Sequence, residues 1–128
     1  MFVVLAKLVV VSHFGFVAFV FLGGLLFSKL PRLIYAHAAC LLYAMVITVV
    51  GWPCPLTILE QWLLSAGGAP VYSGEFLPYY VWSHVGLRGD EVALGTAMVV
   101  ALVAANIFPY RSWLGRSSTA VASFKRRS

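Results

Sequence analysis

Charged residues are scarce in this chain of 128 residues, and their scarcity indicates the class of protein before any motif is considered. Only 10% of the residues are charged and 62% are apolar, whereas soluble domains carry charge on about a quarter of their residues. The composition therefore indicates an integral membrane protein. Because one membrane crossing takes roughly 20 residues, the chain has room for a few spans and excludes a large soluble domain.

Recognisable catalytic motifs are also missing from the sequence. No nucleophile stands at a persuasive spacing from a base, and no glycine-rich loop precedes a helix to cradle a phosphate. This pattern favours a protein that is not an enzyme. The net charge of +5 is accounted for by membrane topology, so nucleic-acid binding is not indicated.

Three apolar windows predict transmembrane helices at about residues 8–27, 33–50 and 92–108. The first is interpreted as a retained anchor, because its apolar run is longer than that of a cleaved signal and no small-residue cleavage site follows it. Residues 76–87 are apolar but short and rich in Tyr and Trp, which favours an interfacial or re-entrant segment, with a fourth span as the alternative. The predicted fold is an all-α bundle of three transmembrane helices in a single membrane domain, residues 1–110.

Charge placement predicts the orientation of this bundle. Every acidic residue lies between the second and third windows, whereas the basic residues concentrate in the first link and after the third window. By the positive-inside rule, the N-terminus is expected outside, with an external region at about 52–91 and a basic cytoplasmic tail at 111–128. The expected location is a bacterial inner membrane, where the tail would attract anionic lipid headgroups.

The stretch GWPCPLTILE marks the end of the second predicted span. Trp52 suits the membrane boundary, and Pro53 cannot continue a helix because it lacks an amide donor. Thr57 and Glu60 have the spacing of a capping box, which predicts a short helix at 58–66 lying on the outer leaflet or on the bundle. This capping role is preferred to a ligand role for Glu60. The structural motif comprises Trp52, Pro53, Cys54, Pro55, Thr57 and Glu60.

These residues also carry a family resemblance. The chain resembles a bacterial family of small integral membrane proteins of unknown function with the signature G-W-x-C-P-L-T-x-L-E, over roughly residues 8–87. The resemblance implies the same membrane architecture and supplies no reaction. The further residues that carry it are His13, His37, Tyr72, Gly74, Phe76 and Tyr80.

Two histidines within predicted spans are candidates for cofactor chemistry, because ionisable side chains inside a bilayer are commonly functional. His13 and His37 differ in depth by roughly 15 Å, so one metal ion cannot bind both. Either histidine is a candidate axial ligand for a haem or another tetrapyrrole. Alternatively, Cys54, His13 and His84 are candidates to hold a transition metal near the outer face. The structural interpretation of His13 and His37 is a neutral imidazole bonded to a backbone carbonyl or a hydroxyl of a neighbouring helix.

Two ladders of small residues predict how the helices pack. One ladder lies on the second span and the other on the third, each with a period of four, and such ladders let membrane helices approach closely. Their simplest arrangement is against each other, which would leave the Phe-rich first span facing lipid or a partner. Alternatively, one ladder faces another protein. The ladders are Ala36, Cys40, Ala44 and Thr48, and Ala93, Ala97, Ala101 and Ala105.

The favoured function is a non-catalytic accessory subunit that stabilises a larger membrane complex, with other membrane subunits or further copies of the chain as partners. This function requires no cofactor. The alternative is a membrane redox protein that binds haem, another tetrapyrrole or a metal through His13, His37 or Cys54. A transporter component is less favoured, because three spans without an intramembrane carboxylate offer little pathway.

Overall fold

The computed structural model describes residues 1–86 and 90–127, with side chains except at residues 27, 28, 91 and 120–127. Four α-helices occur in it: α1, Phe2–Leu22; α2, Leu33–Val50; α3, Pro55–Ala66; and α4, Glu91–Arg127. A 3₁₀ segment, Gly23–Ser28, follows α1, and a π-helical turn, Pro78–Trp82, precedes α4. Across the described ranges there is no strand.

Three of these helices are long and apolar enough to cross a membrane, which confirms the predicted fold class. The corresponding candidate spans are Phe2–Leu26, Leu33–Val50 and Val92–Thr119. The π-helical turn, at five residues, is too short to cross. The helix of the third span continues through Pro109 to Arg127, so the predicted cytoplasmic tail is a continuation of α4.

The core between the three long helices is small and apolar. Val20 of α1, Ala44 of α2 and Leu102 of α4 are buried together, and Phe16 and Phe21 pack against them. The prediction that the Phe-rich face of the first span points to lipid or a partner is therefore wrong for these two rings. Because the side chain of Ala44 is small, the rings of Phe16 and Phe21 are needed to fill the space between the helices.

Glycines let the end of α1 approach the other two long helices. A Cβ at Gly24 would lie 2.8 Å from Cβ of Pro109, and a Cβ at Gly23 would meet the His37 ring. Such separations are shorter than van der Waals contact. The chain can therefore turn from α1 into the first link only because residues 23 and 24 are glycines, which have no Cβ.

The helix α3 packs along the first half of α1 rather than lying apart from the bundle. Its buried side chains, Thr57, Glu60 and Leu63, recur at intervals of three and face the interior. Ile58 and Trp62 on the other side are exposed, as expected for side chains in contact with lipid. Trp62 also meets Phe2 edge to face, with 6.3 Å between ring centroids.

The predicted capping box is not formed. The helix α3 begins at Pro55, three residues before the predicted start, and Cys54 is its N-cap residue without a side-chain capping bond. A proline at the first helical position is favourable because its missing amide donor would have no partner there anyway. Thr57 and Glu60 consequently lie within the helix, where their side chains point into the bundle.

The two small-residue ladders do not pack on each other. Ala44 is buried and Cys40 packs at the core, but all four ladder alanines of α4 are exposed. The inward face of α4 instead carries Gly95, Met98 and Leu102. Leu102 and Met98 fill the space beside Ala44, which an alanine ladder would leave empty.

Candidate functional site

A buried carboxyl group anchors the segment that follows α3. Glu60 is fully buried, and its oxygens accept hydrogen bonds from the hydroxyls of Tyr80 at 2.7 Å and Tyr72 at 3.0 Å. Buried carboxyl groups require such partners, because burying one without a hydrogen bond costs free energy. Glu60 therefore organises the chain that follows α3.

Both tyrosines are held in their protonated, donating form. Burial, followed by the hydrogen bond to Glu60 and its negative charge, raises the pKa of Tyr72 and of Tyr80 far above the usual value for tyrosine. The two rings also meet edge to face, with 5.6 Å between centroids. Together they form a rigid pair of donors over the Glu60 side chain.

The segment between α3 and the π-helical turn has further attachments to α3. The side-chain amide of Gln61 donates to the carbonyl oxygens of Gly74 at 3.1 Å and Tyr72 at 3.3 Å. Tyr72 also stacks on Tyr79 with 4.0 Å between ring centroids. These contacts fix the backbone on both sides of Gly74, and so position Phe76 over the bundle.

His13 lies beneath this segment. It is only 5% exposed, and its ring stacks on Phe76 with a centroid distance of 3.9 Å and an interplanar angle of 21°. Its Nδ1 atom has no hydrogen-bond partner within the described part of the chain. The structural interpretation of His13, a neutral imidazole bonded to a carbonyl or hydroxyl of a neighbouring helix, is not realised at Nδ1 and stays a prediction for the rest of the ring.

A cavity of about 290 Å³ opens beside His13, between α1, α2, α4 and residues 74–78. Its polar wall includes His13, Cys54 and Thr57, and aromatic rings such as Trp52 and Trp82 line other parts of it. No lysine or arginine is among the described residues that line it. The cavity is therefore a mainly apolar space with a few polar groups on one wall, as is typical of small-molecule sites.

Thr57, one of the residues that line the cavity, has a buried hydroxyl without a partner in the described structure. The residue is 1% exposed, and its Oγ1 has no hydrogen-bond partner in the described structure. Other helical hydroxyls donate to the carbonyl four residues earlier, as Thr48 does to Ala44 at 2.8 Å. Thr57 is the third residue of α3, so no carbonyl four residues before it belongs to the helix.

The predicted metal ligands are only partly brought together. Cys54 and His13 line the same cavity. His84 is exposed and lies outside that lining, and its Nδ1 atom is 3.2 Å from the Ser83 hydroxyl. Among the described residues no group of three His, Cys, Asp or Glu side chains is placed to hold a metal ion. A metal or tetrapyrrole on His13 stays a prediction, which the absorption spectrum and metal content of the purified protein would test.

His37 has the structural role that was weighed against cofactor binding. It is fully buried, with Nε2 3.2 Å from the carbonyl oxygen of Val20 and Nδ1 3.0 Å from the Tyr110 hydroxyl. Because a carbonyl only accepts, Nε2 donates to Val20. Both ring nitrogens are thus engaged in holding α1, α2 and α4 together, which leaves neither free as an axial ligand in this arrangement.

Asn106 is a second polar tie at the same place that the sequence analysis missed. Its side-chain amide donates to the carbonyl oxygens of Leu102 at 2.9 Å and Val20 at 3.1 Å. Val20 therefore accepts from both α2 and α4. The sequence signal was available, since a buried amide in a membrane helix usually bonds across to a neighbouring helix.

Comparison with known proteins gives one finding. A family model described as a protein of unknown function (DUF2784) matches residues 3–111. The match extends beyond the resemblance at residues 8–87 and includes most of the third span. No curated protein and no solved structure matches the chain significantly.

Proposed function

We propose from the geometry that the chain, which belongs to the DUF2784 family, is a non-catalytic accessory subunit. The function of that family is unknown, so membership assigns no activity to the chain. In this proposal it packs laterally against another membrane protein and stabilises the resulting assembly. The observation that carries the proposal is the exposed alanine ladder of α4. The binding role rests on shape and requires no cofactor.

The ladder is suited to close helix contact because its side chains are small along a continuous stripe. Ala93, Ala97, Ala101 and Ala105 are all exposed, and the stripe extends over roughly 18 Å of helix. Membrane helices associate through such stripes because the backbones approach closely and gain packing contacts. In this chain the inward positions of α4 are already filled by Leu102 and Met98.

The proposed occupant of this face is a transmembrane helix of a different protein that carries its own small residues. A large interface is not required, because van der Waals packing between two helices is the main source of affinity in a bilayer. A second copy of this chain is the other outcome, and the composition of the assembly separates the two.

Substitution of the ladder tests the accessory function. In Ala97→Leu/Ala101→Leu the added side chains separate the helices, so we expect the partner to be lost when the protein is purified from its own membranes in mild detergent. The matched control is Val103→Leu/Ile107→Leu, because Val103 and Ile107 are exposed on the opposite flank of the same helix. Mass spectrometry of the particles measures partner stoichiometry.

Equal partner recovery from the ladder variant and the control would contradict the proposal. A particle containing only this chain, with or without the substitutions, would contradict the role of a different protein as partner. A particle of two or more copies that the ladder variant dissociates would assign the face to self-association.

The orientation proposed for the chain has the N-terminus outside and the C-terminus in the cytoplasm of a bacterial cell. It is supported by the basic residues at both predicted cytoplasmic positions, Lys29 and Arg32 in the first link and Arg111 and Arg116 in α4. We expect a green fluorescent protein fused after residue 128 to fold and fluoresce, as it does only in the cytoplasm of such cells. A dark fusion that is nevertheless inserted in the membrane would contradict this orientation.

A further inference from the structure

We propose that the cavity beside His13 binds a flat, neutral, membrane-soluble ring that carries a carbonyl oxygen, as a quinone does. This site is independent of the lateral contact on α4, because it lies on different residues. The proposal rests on three features of the cavity: its unpartnered polar groups, the rings that line it and its charge.

The polar groups determine what kind of atom the ligand presents. The Thr57 hydroxyl and the Nδ1 atom of His13 are buried without a hydrogen-bond partner in the described structure, and both residues line the cavity. A buried polar group without a partner is costly, and a hydroxyl and an imidazole can each donate a proton to an acceptor. The carbonyl oxygen of a ligand would be the acceptor that these two donors lack.

The hydroxyl of Thr57 differs in this respect from that of Thr48 in the same cavity. Thr48 already donates to the carbonyl oxygen of Ala44, and therefore has its proton occupied. Thr57 has no such partner, because it lies in the first turn of α3. The cavity is thus lined by two threonines, and only the hydroxyl of Thr57 is available to donate a hydrogen bond.

Shape favours a planar ligand. Phe16, Trp52, Phe76 and Trp82 contribute aromatic rings to the lining, and rings of this kind prefer to stack on, or meet edgewise, another flat ring. The volume of about 290 Å³ is close to the lower bound for small-molecule sites. A single substituted ring therefore suits the space better than a macrocycle.

The charge of the lining favours a neutral ligand over an anion. The described part of the lining has no lysine or arginine, and it includes the acidic residue Glu75. A phosphate or carboxylate would find no cationic side chain among the described residues there. A neutral carbonyl compound requires only the hydrogen bonds that Thr57 and His13 offer.

Quenching of tryptophan fluorescence by a short-chain ubiquinone provides the test. The full chain is placed in nanodiscs of ether-linked phosphatidylcholine, which contain no ester carbonyl to compete for the donors. Because Trp52 and Trp82 line the cavity, a bound quinone quenches their emission in a saturable manner. The variants are Thr57→Val, which removes the available donor at constant shape, and Thr48→Val as the matched control.

We expect saturable binding to the wild type, a dissociation constant about tenfold higher in Thr57→Val, as the loss of one buried hydrogen bond implies, and an unchanged constant in Thr48→Val. Circular dichroism checks that each variant is folded. Linear quenching that is the same in all three proteins shows partition into the bilayer only, and overturns the proposal. Saturable binding that Thr57→Val and Thr48→Val weaken equally also overturns it, because the hydroxyl of Thr57 would then have no distinct role.

Discussion

The carboxyl group of Glu60 determines how the segment after α3 is attached to the bundle. It is buried in α3 and accepts hydrogen bonds from Tyr72 and Tyr80, which follow it by 12 and 20 residues. Since both donors come from the segment after α3, they reach the carboxyl group only when that segment folds back. The folding of this segment is therefore coupled to the formation of the two hydrogen bonds to Glu60.

Double-mutant analysis can measure this coupling. We expect Tyr72→Phe/Tyr80→Phe to lower the free energy of unfolding by about 2–4 kcal/mol, because Glu60 loses both donors while remaining buried. Adding Glu60→Met to that variant should restore part of the stability, since the cluster is then apolar throughout. Glu60→Met alone should destabilise, because the hydroxyls of the half-buried Tyr72 and Tyr80 lose their acceptor.

The measurement is thermal unfolding in detergent, followed by circular dichroism. Tyr79→Phe is the control, because Tyr79 is 46% exposed, and it should change the stability by no more than about 0.5 kcal/mol. Additive effects of the Tyr72→Phe/Tyr80→Phe and Glu60→Met changes would contradict the account, because groups that form one network are expected to be non-additive.

At this scale the sequence identified several of the right residues but assigned some of them the wrong contacts. Glu60 and Thr57 have the spacing of a capping box, but Pro55 starts the helix earlier and turns both side chains inward. The tyrosine partners of Glu60 could not be predicted, because their separation along the chain follows no helical or strand period. The unpartnered Thr57 hydroxyl is likewise visible only once the helix start is known.

Among the elements, the junction between α1 and α4 depends on backbone proximity. Gly24→Ala would place a Cβ 2.8 Å from Cβ of Pro109 and 3.3 Å from Oδ1 of Asn106. Since the ring of Pro109 cannot rotate away, we expect a loss of about 1–3 kcal/mol in stability from the forced separation of the helices.

Gly15→Ala is the matched control for this change. Nothing lies within 4 Å of a Cβ at Gly15, which is within α1, and alanine there should stabilise by about 0.5–1 kcal/mol through its higher helix propensity. Thermal unfolding of both variants in the same detergent gives the comparison. Equal effects of the two substitutions would contradict a tight contact at Gly24.

The elements themselves were largely predictable, whereas their faces were not. Hydropathy and length identify the three spans, and Gly51 with Pro53 marks the end of α2, where Gly51 adopts a φ of 72°. The alanine ladder of α4 faces away from the core because larger residues of the same helix, Met98 and Leu102, pack against Val20 and Ala44. Small-residue periodicity predicts a packing face without saying which partner it meets, and in α4 that face points outward.

On the scale of the whole molecule, the two functional proposals concern different surfaces: the accessory function concerns the alanine ladder, and the binding of a ring compound concerns the cavity beside His13. The cavity beside His13 lies inside the bundle beneath residues 74–78, and the alanine ladder lies on the outer side of the bundle. The polar tie at Val20, formed by His37 and Asn106, holds the three long helices in one arrangement. A rigid bundle of this kind can present both surfaces at once to different ligands.

Site-specific photo-cross-linking in native membranes tests the accessory function most directly. A photo-reactive residue replaces Ala101 on the ladder in one variant and Val103 on the opposite flank in the other. The account predicts a discrete adduct with a different membrane protein from position 101 and none from position 103. Adducts from both positions at equal yield, or from 103 alone, would contradict a partner that binds the alanine ladder.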